Sequence, residues 1–323
     1  MSDGISDHGI SNYKIASVGE VLYDNHIHLS EVPEPELEEW TEQDWFPKPG
    51  ESIMTESPPE VEEYIEDVLP GGRSPNQALA AAHAGSNTFF HGKSSREPEL
   101  EHENLDYDID VVPNAESDVY IFVSDDGEKR ITCHKEQELA DADYAERLLE
   151  DGSFDQTDYL MVSNGENQNF LHSLFEGLEG TDTEVVFDPA PVEGSGDFLD
   201  YECVSYVTPN ENEYVQIADE TEGSDSTVLK TSADGVDVDG EYFVESPDVE
   251  PVDTTGAGDV FNGYLTASLS EGCGLGKAVK RATYAASLSV TREGAQRSIP
   301  SFDQVNDYIE GESGKNMELT RTS

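Results

Sequence analysis

The run Asp253-Thr254-Thr255-Gly256-Ala257-Gly258-Asp259, followed at once by Val260-Phe261-Asn262-Gly263, sets a carboxylate beside small residues at the start of a helical pattern. Gly256 and Gly258 let the backbone turn without a Cβ in the way. The amides of Gly256, Ala257 and Gly258 then point out of a helix N-terminus, where an anion is stabilised by unpaired N–H groups and the helix dipole. Phosphoryl transfer to a hydroxyl asks for such a setting: a base near the acceptor and donors around the transferred oxygens. Asp259 reads as that base. A Gly-x-Gly-Asp turn alone is as often plain structure, so the rest of the chain has to decide.

Two further runs bear on the choice. In Gly71-Gly72-Arg73-Ser74-Pro75-Asn76-Gln77-Ala78, paired glycines precede an Asn at another helix start. Glycines of this kind let backbone approach a polyhydroxylated ligand, and Asn can donate to one hydroxyl while accepting from another. The bland alternative is an ordinary loop-to-helix turn. In Pro209-Asn210-Glu211-Asn212-Glu213, Asn210 and Glu213 share a helix face. They could face phosphate and a Mg²⁺-bound water, or be an N-cap with acidic first-turn residues.

Taken in this order, Gly-Gly-x-x-x-Asn-x-Ala, Asn-x-x-Glu and Asp-Thr-x-Gly-Ala-Gly-Asp resemble the motifs of the ribokinase-like (PfkB) family of carbohydrate kinases, from about Lys14 to Ile309. The resemblance implies an α/β fold, a Rossmann-type three-layer sandwich with a small β-sheet lid. Residues 1–323 would form one kinase domain, with lid segments at 25–70 and 108–131. It implies ATP with Mg²⁺, and transfer of the γ-phosphate to a primary hydroxyl of a small sugar.

By the same resemblance Asp259 is the base and Gly256, Ala257 and Gly258 form the anion hole. Asp24, Gly71, Gly72 and Asn76 grip the sugar. Asn210, Thr231 and Gly235 bind ATP, and Glu213 holds Mg²⁺ through water. Asp253 and Thr255, with Ser289, Arg292, Gly294 and Ser298 of the segment after Leu288, hold a monovalent cation such as K⁺. Gly19-Glu20 is similar to fructokinase-type members, which favours a ketohexose such as fructose and leaves ribose and 2-keto-3-deoxygluconate open. A catalytically silent sugar- or nucleotide-binding protein on the same scaffold is the alternative of another class. The family admits a homodimer formed lid to lid.

Some segments depart from the pattern. The nucleotide loop of the family commonly reads Thr-x-Gly-x-x-Gly, whereas here Thr231-Ser232-Ala233-Asp234-Gly235 lacks the first glycine and is one residue short. The stretch from Asp24 to Gly71 is long for the lid, and Ser95–Asp108 reads as a short acidic loop. Other candidate sites fail on chemistry. Gly92-Lys93-Ser94 lacks the leading glycine of a phosphate-binding P-loop, since residue 87 is Asn. Gly256-x-Gly258 is followed by Phe261 where a dinucleotide fingerprint needs a third glycine. His26-x-His28 has no third ligand nearby and reads as a lid strand.

The elements that must position these residues follow from hydrophobic periodicity. Strands are expected at Lys14–Val18 (reaching Asp24), Tyr159–Val162, Glu184–Phe187, Val204–Thr208 and Thr227–Lys230, and helices at Gly71–Gly85, Asn167–Leu178 and Glu211–Ala218. Hairpins are expected around Asp126-Gly127 and Asp239-Gly240. Helices follow at Ala257–Ser270 and Leu275–Thr291, and a short one starts at a Ser301–Gln304 capping box. Met1–Asn12 and Gly311–Ser323 read as tails. Alternating strands and helices imply a mostly parallel sheet covered on both faces.

Composition sets the surroundings. Against 17 Lys and Arg stand 71 Asp and Glu, a net charge of −54. With 35% hydrophobic residues in periodic segments, this describes a folded protein with an acid-coated surface. Salt tolerates such a surface, because the Debye length falls to roughly 3 Å at 1 M; a salt-filled, halophilic cytoplasm is the expected setting. Nucleic acid and anionic membranes would be repelled. Cys133, Cys203 and Cys273 are scattered, which suits reduced thiols in a cytoplasmic protein. No apolar run has the length of a membrane span or of a secretory leader.

Overall fold

The first strand sets the architecture. In the computed structural model, β1 (Ile15–His28) is buried throughout its first seven residues and then alternates between buried and partly exposed positions. Full burial is the mark of a strand covered on both faces, and alternation that of a sheet with one open face. The two halves of β1 lie in different sheets. The first pairs in parallel with β4 (Thr88–Ser94) and β8 (Tyr159–Ser163). The second pairs antiparallel with β3 (Asp67–Gly71) and parallel with β6 (Ser117–Val123). The structure describes residues 13–321 apart from Gly50, Asn114, Glu116, Asp126, Gly127, Glu136 and Gln137. The Met1–Asn12 tail and the Asp126-Gly127 turn therefore lie outside the described residues.

The main sheet runs β5 (Leu105–Val111), β4, β1, β8, β9 (Glu184–Asp188), β10 (Val204–Val207) and β11 (Thr227–Thr231), all parallel. An antiparallel hairpin, β12 (Gly235–Val238) and β13 (Tyr242–Glu245), closes the β11 edge. Side-chain alternation divides the core between two faces. Leu160, Val162, Val185 and Phe187 pack under α3 (Ala142–Glu150), α4 (Gln168–Leu178) and α5 (Glu211–Thr221). Ile15, Met161 and Val186 pack under α2 (Arg73–His83), α6 (Ala257–Ser270) and α7 (Leu275–Ser289). Each fully buried Leu, Val or Phe contributes about 1.5–3 kcal/mol. This is the α/β sandwich of three layers that the alternation implies.

The lid sheet runs β3, β1, β6, β7 (Lys129–Lys135) and β2 (Ser52–Thr55). The segment between β1 and β3, expected as part of the lid, has a core of its own. Trp40, at the end of α1 (Glu34–Trp40), packs with Phe46 and Val61 against Ile27, Tyr120 and Phe122 of the sheet. The rings of Phe46 and Phe122 meet edge to face at 5.1 Å, a favourable aromatic geometry.

Several elements differ from the sequence reading. Within the Ser95–Asp108 loop the strand β5 begins at Leu105, and residues 108–111 belong to the edge of the main sheet rather than to the lid. Its inward Leu105, Tyr107 and Ile109 alternate with Asp106, Asp108 and Asp110, so acids mask the strand period. The β4 strand and α3 were not read at all; α3 starts where the Asp141 carboxylate accepts from the Tyr144 amide. The last helix, α8 (Phe302–Arg321), runs on past Gly311, where a tail was expected. Its start does carry the expected box: Ser301 N–H donates to Gln304 Oε1 and Gln304 N–H to Ser301 Oγ.

Candidate active site

Two helix starts meet because α2 and α6 cross closely. At the crossing, a Cβ on Gly263 would fall 2.5 Å from Ala80 Cβ and 2.7 Å from the Gln77 carbonyl, so glycine is required. The contact sets the first turn of α2 against that of α6. Asp259 Oδ2 accepts from Asn76 Nδ2 at 3.1 Å, and Oδ1 faces Gln77 Nε2 at 3.4 Å. Asp188, at the C-terminal end of β9, joins them: Arg73 Nη1 donates to its Oδ2 at 3.2 Å and Gln77 Nε2 approaches the same oxygen at 3.4 Å. Burial pushes the Asp259 carboxyl up to about 7; Arg73 pulls it down, Asp188 pushes it up, and the Asn76 and Gln77 amides pull it down. A carboxylate with a pKa near 7 is suited to general-base work at neutral pH.

In front of Asp259 lies a cleft of about 810 Å³. It is lined by Asp259, Gly256–Gly258 and Asn262, by Arg73, Asp188, Asn210 and Glu213, and by Thr231–Asp234 and Ser246–Val249. A smaller pocket of about 410 Å³, lined by Tyr214, Lys230 and Asp239, shares no residue with it. Gly256 turns the chain into α6 with a φ of 77°. The Ala257 amide donates to the Thr254 carbonyl at 3.3 Å, so one of the three amides expected to face an anion helps close the turn. A Cβ on Gly258 would meet nothing within 4 Å, which leaves the backbone there facing open space.

Asn210 and Glu213 form a full capping box. Asn210 Oδ1 accepts from the amides of Asn212 and Glu213, and Glu213 Oε2 accepts from the Asn210 amide at 2.8 Å. The structural reading of this pair therefore holds, and both residues still line the cleft. Burial holds the Glu213 carboxyl above its ordinary value; Asp188 adds to the shift, while the Asn210 hydrogen bonds and Arg73 oppose it. The Thr231–Gly235 loop is a turn closed on itself. Ser232 and Gly235 exchange backbone hydrogen bonds, and Thr231 Oγ1 donates to the Pro209 carbonyl. Thr231 lines the cleft, whereas Gly235 serves the turn: a Cβ there would strike the Val244 carbonyl at 2.1 Å.

On the lid side Asp24 stands over Gly71, where a Cβ would lie 2.5 Å from Asp24 Oδ2. Burial raises the Asp24 carboxyl to about 7, and the Lys129 ammonium partly offsets this. Gly72, with a φ of 100°, starts α2. Asn76 does not point into empty space, since its Oδ1 accepts from Gln296 Nε2 at 3.0 Å while its amide holds Asp259. Arg297–Asp67 at 2.9 Å and Lys129–Asp253 at 2.7 Å are among the ion pairs that cross from lid to body.

Asp253 sits in a different setting. Its Oδ1 accepts from the Thr255 amide at 3.0 Å and the Thr255 hydroxyl at 2.7 Å. Its Oδ2 accepts from the Gly294 amide at 2.9 Å and from Lys129. Burial alone would raise this carboxyl, but the bonds from Lys129, Gly294 and Thr255 hold it at about 2. An ionised carboxylate has about four lone-pair sites, and all are used. The carbonyls of Ser289 and Gly294 accept from Arg292 N and Ser298 N. At the expected cation set of Asp253, Thr255, Ser289, Arg292, Gly294 and Ser298, the Asp253 carboxylate is thus already neutralised by the Lys129 ammonium, while the Ser289 and Gly294 carbonyls each keep a second lone pair. For Mg²⁺ the donors do fit. Asp188 and Glu213 face the cleft, a sparse carboxylate set suited to an ion held mainly by water and phosphate oxygens.

Sequence reading missed Arg73, Gln77, Asp188, Gln296 and Lys129. Arg73 and Gln77 stood inside the quoted Gly71–Ala78 run. Asp188 stood one residue past an expected strand, where ligands of parallel sheets gather. Lys129 had no signal. Glu20, read as a hint of sugar type, is buried away from the cleft chemistry. Its Oε1 accepts from the amides of Leu139 and Ala140, and its Oε2 pairs with Lys135 at 3.1 Å.

Comparison with known proteins gives the family and the fold. Residues 57–301 match the family model described as pfkB family carbohydrate kinase. The ribokinase of Bacillus subtilis is 28% identical over 285 residues, covering 81% of this chain and 92% of that protein. The crystal structure of ribokinase from Thermotoga maritima superposes with a TM-score of 0.68 at 24% identity, covering 93% of this chain and 100% of that one. Arabidopsis thaliana ribokinase, solved with ribose and ATP, gives a TM-score of 0.64 at 18% identity over 91% of this chain and 98% of that one.

Proposed function

This chain belongs to the pfkB family of carbohydrate kinases, phosphotransferases acting on a sugar hydroxyl, and on that premise we propose that it uses ATP to phosphorylate a primary hydroxyl of ribose or a closely similar small sugar. The observation that carries the reading is the Asp259 carboxyl, buried, poised near neutral pH and opening onto a large cleft. The sugar lies between the lid and α2, against Asp24, Gly71, Gly72 and Asn76. The nucleotide lies in the cleft over Gly256–Gly258 and beside Asn210 and Thr231. Asp259 takes the proton of the sugar hydroxyl. The new oxygen–phosphorus bond forms as the β–γ bridge bond breaks, and ADP leaves with the bridging electron pair. Arg73 and the Gly258 amide offset charge on the transferred phosphoryl. Mg²⁺, held through water near Asp188 and Glu213, would neutralise phosphate charge.

Ribose is favoured over a ketohexose such as fructose for two reasons. Ribokinases align along most of both chains. The residue that suggested fructose, Glu20, is tied into the β1–β7 junction instead. The outer side of the lid is covered by Trp40 and Phe46 of the same chain, so we read the protein as a monomer rather than a lid-to-lid dimer. The acidic surface supports a cytoplasm rich in salt, and among the described residues no helix is long and apolar enough to cross a membrane.

The test is ADP release in multimolar KCl over ribose, deoxyribose, fructose and 2-keto-3-deoxygluconate. Turnover highest with ribose or deoxyribose is expected. Preference for fructose would overturn the sugar assignment, and binding of sugar without ADP at any salt would favour the silent binding protein.

A further inference from the structure

Lys129 is the first residue of lid strand β7, yet its ammonium lies in the body of the protein. It stands 2.7 Å from Asp253 Oδ2 and 3.1 Å from Thr255 Oγ1. The Asp253 side chain is 6% exposed and that of Lys129 is 26% exposed, so the pair is largely shielded from bulk solvent. Asp253 staples the turn that leads into Gly256–Gly258, through Thr255, to the loop after α7, through Gly294. Removing the ammonium would leave a buried carboxylate with one unfilled acceptor and no counter-charge, which is costly unless another cation takes the place.

We propose that Lys129 is a positioning residue that acts as a tethered monovalent cation: its ammonium holds the Asp253–Thr255 turn, and hence the anion hole, and does so only while the lid strand that carries it is in place. Two consequences follow from the covalent tether. The chain needs no free K⁺ at this position, however much the medium contains. The anion hole is also set by lid position, because the charge arrives with β7. Ordinary surface pairing does not account for the arrangement: exposed Lys–Asp pairs are loose and screened, whereas this ammonium bridges a buried carboxylate and the half-buried Thr255 hydroxyl across two subdomains.

The inference rests on the kinase reading, so its test includes a readout that does not need turnover. Wild-type protein and Lys129→Met are compared in KCl and in tetramethylammonium chloride of equal ionic strength, the latter ion being too large to enter. The wild type is expected to turn over equally in both. Lys129→Met is expected to lose about tenfold or more of kcat in tetramethylammonium, as a displaced anion hole would, and to recover in KCl. Crystals of both soaked in RbCl give the independent measurement. An anomalous peak between Asp253 and Thr255 is expected in Lys129→Met and not in the wild type. A wild-type enzyme that requires K⁺, a rubidium peak beside Asp253 in the wild type, or a Lys129→Met variant as active in tetramethylammonium as the wild type would each overturn the proposal. If Lys129→Met fails to fold, the wild-type cation comparison and rubidium soak still decide it. Failure of every sugar to release ADP would instead sink the kinase reading and leave the rubidium result standing.

Discussion

Asp253 and Asp259 bracket one short turn and are both buried, yet their environments push them in opposite directions. Asp253 accepts four hydrogen bonds, one from an ammonium, and is held at about 2. Asp259 has two amide donors at 3.1 and 3.4 Å, faces Asp188, and is raised to about 7. Burial opposes the charge at both sites; the number and charge of the donors decides which carboxyl stays ionised. One is fixed as an anchor, and the other is left able to take up and release a proton.

The comparison can be broken at either end. The largest expected effect is at the base. Asp259→Asn should lower kcat by about 10²- to 10⁴-fold, with KM for sugar and ATP changing little in steady-state assays. An equal loss in Asp253→Asn with binding unaffected would show that the two acids do not differ in kind. Next comes Arg73→Met, expected to cost about tenfold to hundredfold in kcat. Because Arg73 pulls the Asp259 carboxyl down, the same variant should also move the acid limb of the rate profile to higher pH. Gly71→Ala should raise KM for the sugar by about tenfold at nearly constant kcat, since the new methyl displaces the Asp24 carboxylate.

The smallest effect is on stability, and its sign separates the two acids. The folded pKa of Asp259 lies above its unfolded value, so its contribution is fully present below about pH 4 and lost as pH rises toward 7. Asp259→Asn should therefore raise the thermal midpoint at pH 8 and leave it unchanged at pH 4. For Asp253, whose folded pKa is depressed, stability is present above about pH 4 and lost as pH falls toward 2. Asp253→Asn should lower the midpoint at pH 8. Both scans belong in multimolar KCl; in about 0.05 M salt, where screening reaches beyond 10 Å, the charge of −54 should unfold wild type and variants alike.

What could be read from the chain follows the same division. The helix start that brings Asp259 and its glycines to the cleft was legible because these residues are contiguous. The sheet was legible wherever a strand is apolar on both faces, as in Tyr159–Ser163 and Glu184–Asp188. The edge strand Leu105–Val111 was hidden by the acids on its exposed side. The pairing of Asp253 with Lys129 was not legible because Lys129 arrives from a distant lid strand, and no local pattern announces a contact of that kind. Asn210 and Glu213 suited both a capping box and a ligand site, and the capping geometry is present in full.

In the proposed mechanism the Asp259 carboxyl, raised to about 7 by burial, attacks nothing itself and only frees an alcohol to do so. The most direct test is the pH dependence of kcat/KM for the sugar, from pH 5 to 9 at constant high salt. The account predicts a tenfold rise per pH unit that levels off near pH 7, a limb absent from the residual activity of Asp259→Asn. A profile flat down to pH 5, or one with the same limb in the variant, would contradict it.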